Sequence, residues 1–121
     1  MRSRLRRALA DAIKARDHEA VSALRSALAA IDNAEAVDAQ TAPPVGAATA
    51  EVASSVAGVG AAEVPRRALT ESEVETLVRA EVAERLAAAD DYEHHDQPEH
   101  ARRLRREAEV LRRHLPDAER A

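Results

Sequence analysis

At 121 residues and 13.0 kDa the chain has room for one small domain and no second large one. Thirty of its apolar residues are alanine, leaving 10 Leu, 11 Val and 2 Ile as nearly all the large side chains, too few for a compact β-sandwich or a doubly wound α/β sheet. A net charge of −4 argues against a uniformly basic nucleic-acid binder, and the absence of cysteine removes disulfides, thiolate metal sites and cysteine nucleophiles.

The first predicted element is a helix with Leu5, Leu9, Ala12 and Ile13 on one face at steps of three and four. Its opening run, Met1-Arg2-Ser3-Arg4-Leu5-Arg6-Arg7, superficially resembles a transit peptide, but the same residues open a helix the fold needs. Arginine outnumbers lysine 17 to one (Lys14), which, with so much alanine, reflects a GC-rich genome. Asp17 is a predicted N-cap for a second helix carrying Val21, Leu24, Leu28 and Ile31 and fading near Val37. A link this short makes the two helices antiparallel, so residues 1–37 form one hairpin.

Residues 38–69 break the pattern. They hold all three glycines, three of the five prolines and the apolar residues Val45, Val52, Val56, Val59, Val64 and Leu69 on no periodic stripe. The segment reads as a disordered, flexible Ala/Gly/Pro linker, cheap in loop-closure entropy despite its length. Order resumes at Thr70, which has the spacing of a capping box with Glu73. The third helix presents Val74, Leu77, Val78, Val82, Leu86 and Ala89 and runs to about Tyr92. A turn of His94-His95-Asp96-Gln97-Pro98 follows, with Asp96 expected to cap and Pro98 in the first helical turn. The last helix carries Leu104, Ala108, Leu111 and Leu115, ends at Pro116, and leaves 117–121 as a tail. The expected fold is therefore all-α: two antiparallel helical hairpins, 1–37 and 70–116, forming one small four-helix bundle. Eighteen large apolar residues serving only the helical positions suffice for such a core.

Charge is unevenly spread: residues 1–16 are strongly basic, 70–93 strongly acidic, and the last helix holds Arg102, Arg103, Arg105, Arg106, Arg112 and Arg113. Packing complementarity between the hairpins is the simplest explanation. Catalysis finds little to work with. No serine sits in a nucleophile elbow, and no glycine-rich loop carries a Lys-Ser/Thr partner for phosphate. His94, His95, Asp96, Glu99 and His100 include zinc-compatible side chains, but their order matches no metal signature, so a polar turn is expected and no metal or cofactor. The arginines of the last helix could neutralise nucleic-acid phosphates. Tyr92 is the single aromatic residue, so RNA would be held by backbone and shape rather than by base stacking.

The spacing resembles a known family. Lys14-Ala15-Arg16-Asp17, then Leu24-Arg25, Ala29-Ala30-Ile31 and Asn33-Ala34-Glu35, is similar to the opening hairpin of the YqeY-like proteins. Leu69-Thr70 before an acidic helix, Glu81-Val82-x-x-Arg85, Glu107 and Leu115-Pro116 agree with the second half. Members usually have a short connection in place of residues 38–69. They usually continue past Leu-Pro into a helical domain similar to the tail of the tRNA-dependent amidotransferase B subunit, so a short form without that domain is expected. The resemblance implies a bacterial helical module associated with tRNA or translation, and its link to amidotransferases that use glutamine as amide donor can imply that activity; since no active site is visible in the sequence, a non-catalytic, cytoplasmic module is expected instead. The resemblance singles out Lys14, Arg16, Asp17, Arg25, Asn33, Glu35, Glu81, Arg85 and Glu107 without assigning them roles.

The helical spacing adds that Glu81, Arg85 and Glu107 meet at the seam of the second hairpin, and that Glu35 continues the apolar line of its helix with Arg25 on its flank. A network fixing helix register is favoured over a ligand site. Candidate RNA or partner contacts are Arg102, Arg103, Arg106 and Arg113. A small interaction or dimerisation module without an RNA role is the alternative, with a homo-oligomer open as its form; no membrane or DNA partner is expected.

Overall fold

In the computed structural model, residues 1–41 and 68–116 are described, without the side chains of 38–41. Four helices are present among them, α1 (Arg2–Ala15), α2 (His18–Thr41), α3 (Glu71–His94) and α4 (Pro98–Arg112), and no strand. The molecule is all-α, with α1 folded against α2 and α3 against α4. The hairpins meet chiefly through α2, which lies against α4 and, less extensively, against α3. No described helix is long and apolar enough to cross a membrane.

Both hairpin links are Schellman turns built without glycine. Arg16 takes a left-handed conformation (φ 57°), its N–H donating to the Ile13 carbonyl and that of Asp17 to Ala12 at 3.1 and 3.0 Å. Asp96 repeats this at φ 62°, its N–H donating to Glu93 and that of Gln97 to Tyr92 at 3.1 and 2.8 Å. Each left-handed residue costs about 1 kcal/mol, offset by helix-end carbonyls that would otherwise lack donors. The two starts that follow differ. Asp17 Oδ1 accepts the Ala20 N–H at 3.2 Å, capping α2. Asp96 does not cap α4 as its sequence position suggests, because it is already the left-handed residue ending α3. Gln97 is the N-cap and gives no side-chain hydrogen bond, while Pro98 supplies preset helical φ. At α3 the capping box is complete: Glu73 N–H donates to Thr70 Oγ1 and Thr70 N–H to Glu73 Oε1.

The core gathers Leu5, Leu24, Ile31, Val78 and Leu111, all but fully buried, with Val74, Val82 and Leu115. Each large side chain so buried contributes about 1.5–3 kcal/mol. Alanine supplies much of the rest. Ala12, Ala20, Ala23, Ala27 and Ala108 are buried in the same cluster, and their small side chains let backbones approach closely.

Four boundaries differ from expectation. Ile13 is 49% exposed, because it lies roughly 80° round α1 from Leu5 and α1 has essentially one neighbour to pack on. Leu86 is 39% exposed because it lies roughly 80° round α3 from buried Val78. Helix α2 continues past Val37 to Thr41, since nothing before the prolines stops it. Leu69, assigned to the linker, packs against the core. The disorder expected between these limits falls on residues 42–67, outside the described residues.

Candidate functional site

Three of the residues singled out by family resemblance meet as the helical spacing requires. The Arg85 guanidinium bridges both helices of the second hairpin, donating from Nε to Glu107 Oε1 at 3.0 Å and from Nη1 to Glu81 Oε1 at 2.9 Å. The three side chains are only 11%, 10% and 16% exposed, in the order Arg85, Glu107, Glu81. Ser26 of α2 donates from Oγ to Glu81 Oε1 at 3.0 Å, so the cluster joins three helices. One arginine thus serves two carboxylates in a poorly hydrated place, where losing the cation would leave both uncompensated.

Glu35 is also buried, with different partners from those its own helix suggests. Its Oε2 accepts from Arg2 Nη2 at 2.5 Å and from the Leu69 N–H at 3.0 Å. The carboxylate therefore ties the start of α1 and the residues leading into α3 to the far end of α2. Arg25 stays exposed, about 15 Å away along the helix at 1.5 Å per residue. Of the remaining motif positions, Lys14, Arg16, Asp17 and Asn33 are exposed. Arg16 and Asp17 make the first turn, and Lys14 sits favourably at the negative end of the α1 dipole.

The acidic face of α3 is answered mainly by α4 rather than by α1. Arg105 donates to Glu93 Oε1 at 3.0 Å and to Asp90 Oδ1 at 3.1 Å. The bond from Arg105 holds the Glu93 carboxyl below the usual range, and bonds to Glu93 and then Asp90 raise the guanidinium. Between hairpins, Arg106 Nη2 donates to Glu19 Oε1 at 2.8 Å, lowering the Glu19 carboxyl. The amino terminus lies 2.7 Å from Glu71 Oε1 and lowers it likewise. Arg4, Arg6 and Arg7 remain exposed on α1.

The four candidate contact residues are all exposed, Arg102, Arg103 and Arg106 on α4 and Arg113 as its C-cap. Arg102 pairs with Glu99 at 2.5 Å, and Arg113 approaches Glu109 only to 3.9 Å. At the end of α4, half-buried His114 has its pKa lowered, first by burial and then by the positive charges of Arg4, Arg113 and the amino terminus.

The histidine-rich turn is a local structure. His94 Nδ1 and His95 Nδ1 lie 2.7 Å from the carbonyls of Asp90 and Asp91, one turn back. The His100 ring stacks on Tyr92, with centroids 3.7 Å apart. Among the described residues no three His, Asp or Glu side chains stand together as a metal-binding group. The sequence reading missed Arg2 as the partner of Glu35, Ser26 as that of Glu81, and the Arg106–Glu19 pair. All three link residues at least 33 positions apart, beyond the reach of helical periodicity.

No protein-family model, curated protein or solved structure matches this chain.

Proposed function

We propose that the chain is a non-catalytic helical module of the YqeY-like kind that works by binding, with tRNA or a translation-related partner as its target. One observation carries this reading. Arg102, Arg106 and Arg113 occupy the side of α4 turned away from buried Ala101, Ala108 and Leu111. Their carboxylate partners Glu99, Glu19 and Glu109 are themselves solvent-accessible, and such ion pairs contribute little. Phosphates can replace those carboxylates at small cost. The buried carboxylates Glu35, Glu81 and Glu107 are meanwhile engaged in holding helices together, which supports binding rather than chemistry. Family resemblance adds the context of glutamine-dependent amide transfer on tRNA, with this chain as an accessory.

The test is a gel shift with tRNA across a salt series. Binding that weakens steeply with salt, and again in Arg102→Glu/Arg103→Glu/Arg106→Glu, supports the reading. No shift at low salt overturns it. A second reading, a protein-interaction or dimerisation module, is favoured by Leu86. That side chain lies at a groove of about 260 Å³ lined also by Val82, Ala108, Arg105, Glu109 and Arg112. Light scattering across a concentration series decides it: a mass above one chain that Leu86→Glu returns to the monomer value supports this reading, and a single-chain mass throughout excludes self-association.

A further inference from the structure

The turn between α3 and α4 borders a groove of about 380 Å³ lined by Ala88, Asp91, Tyr92, His95 and Gln97. Three of these residues bring hydrogen-bond acceptors that no described residue occupies. The Asp91 carboxylate makes no ion pair, because Arg105 is taken by Asp90 and Glu93 at 3.1 and 3.0 Å. The Gln97 amide gives α4 no cap and is exposed at the groove. His95 Nδ1 lies 2.7 Å from the Asp91 carbonyl. A carbonyl only accepts, so Nδ1 carries the hydrogen, and Nε2 of the neutral ring is left as an acceptor. Tyr92 adds an aromatic ring, held on one face by His100 with centroids 3.7 Å apart and planes inclined by 9°.

We infer that this groove binds the guanidinium of an arginine carried by a partner polypeptide. A guanidinium is flat, permanently charged and purely a donor, which matches a groove offering a carboxylate, further acceptors and an aromatic ring. A nucleotide meets the wrong field. Asp90, Asp91, Glu93 and Asp96 crowd this end of the hairpin, and only Asp90 and Glu93 have a cationic partner among the described residues, so a phosphate is repelled. The volume lies near the lower limit of ligand pockets, about 300–1,000 Å³, and suits one side chain rather than a cofactor. Free arginine would bring its own α-carboxylate into the same acidic surroundings, whereas an arginine within a chain has none. The inference goes beyond the tRNA reading and does not rest on it: no residue lining the groove belongs to the basic face of α4.

The experiment follows the full chain by heteronuclear NMR while N-acetylarginine amide is added. Saturable shifts concentrated at Asp91, Tyr92, His95 and Gln97 are expected. The citrulline counterpart, flat but neutral, is expected to bind about tenfold more weakly, and Asp91→Asn to weaken the arginine ligand by a similar factor. Gln97→Ala, which removes no helix cap, is expected to weaken it less, and free arginine to bind more weakly than the blocked form. Absence of saturable shifts at these residues overturns the site. So does citrulline binding as tightly as arginine, or an Asp91→Asn protein of unchanged affinity. Adenosine monophosphate binding there at least as tightly as the blocked arginine overturns it in favour of a nucleotide site. Free arginine binding as tightly as the blocked form overturns the assignment to a partner polypeptide. The tRNA reading is decided separately, by the gel shift.

Discussion

The two hairpins close by different means. Between α1 and α2, and where α2 meets the second hairpin, the seams rest on Leu5, Leu24, Ile31 and a series of buried alanines, with Arg2–Glu35 at one end. The α3–α4 seam instead carries a bridging arginine at Arg85, a second at Arg105, and stacked rings at Tyr92 and His100. Ala89 and Ala101 are completely buried yet stand apart from the main core cluster, so the turn end of this hairpin seals itself. The first hairpin depends on the second to cover its apolar stripe; the second holds its own tip closed. Polar closure gives register at the risk of uncompensated charge, whereas alanine closure gives close approach with no room to spare.

That contrast is broken most severely at Arg85. Arg85→Ala leaves Glu81 and Glu107 facing each other with little water and is expected to lose about 3 kcal/mol in chemical denaturation. Arg85→Ala with Glu81→Gln and Glu107→Gln should recover much of the loss, and no recovery would show that the arginine's packing mattered rather than its charge. In the alanine seam, Ala27→Leu should cost about 2 kcal/mol by overpacking, since Ala27 is 1% exposed. The same change at exposed Ala83 should be nearly neutral, and equal losses would remove the distinction. The links differ more mildly. Asp17→Ala removes a side-chain cap and should cost about 1 kcal/mol; Gln97→Ala, at a start with no side-chain cap, should change thermal unfolding hardly at all.

Acidification tests the charges at the edge of the bundle. The His114 pKa is lowered in the folded chain from about 6.5, so the unfolded chain binds more protons just below that value. Stability is therefore expected to fall as the pH drops from about 6.5 through the lowered pKa, and His114→Gln should flatten this first decline. Glu19, Glu71 and Glu93, lowered from 4.5, stabilise above that value and lose their contribution as the pH falls through their lowered pKa values. A denaturation midpoint unchanged between pH 7 and 5 in the parent protein would contradict the His114 assignment.

What could be read in advance follows from the range of the interactions. The capping box at Thr70, the Asp17 cap and the Glu81–Arg85 pair lie within four residues of their partners, and helical geometry determines them locally. Glu107 was reachable because a short turn fixes how α3 and α4 face each other. The αL turns carried no glycine to announce them. The alanine core was hidden for another reason: alanine occupies buried positions such as Ala23 and exposed ones such as Ala29 alike, so its presence marks no face. Arg2 found Glu35 only through the meeting of distant chain segments, which periodicity within a helix does not encode. The RNA-binding role proposed for the arginines turns on a partner's phosphates, which residue spacing within one chain does not encode.

The stacked pair at the second turn has a practical consequence. Tyr92 is the chain's one tyrosine, and it has no tryptophan to mask it. Its ultraviolet emission is therefore a single-site signal from the junction of α3 and α4, sensitive to whether His100 lies against it. The protein carries its own optical reporter, and separation of the two rings can be followed in unlabelled material while tRNA or acid is added.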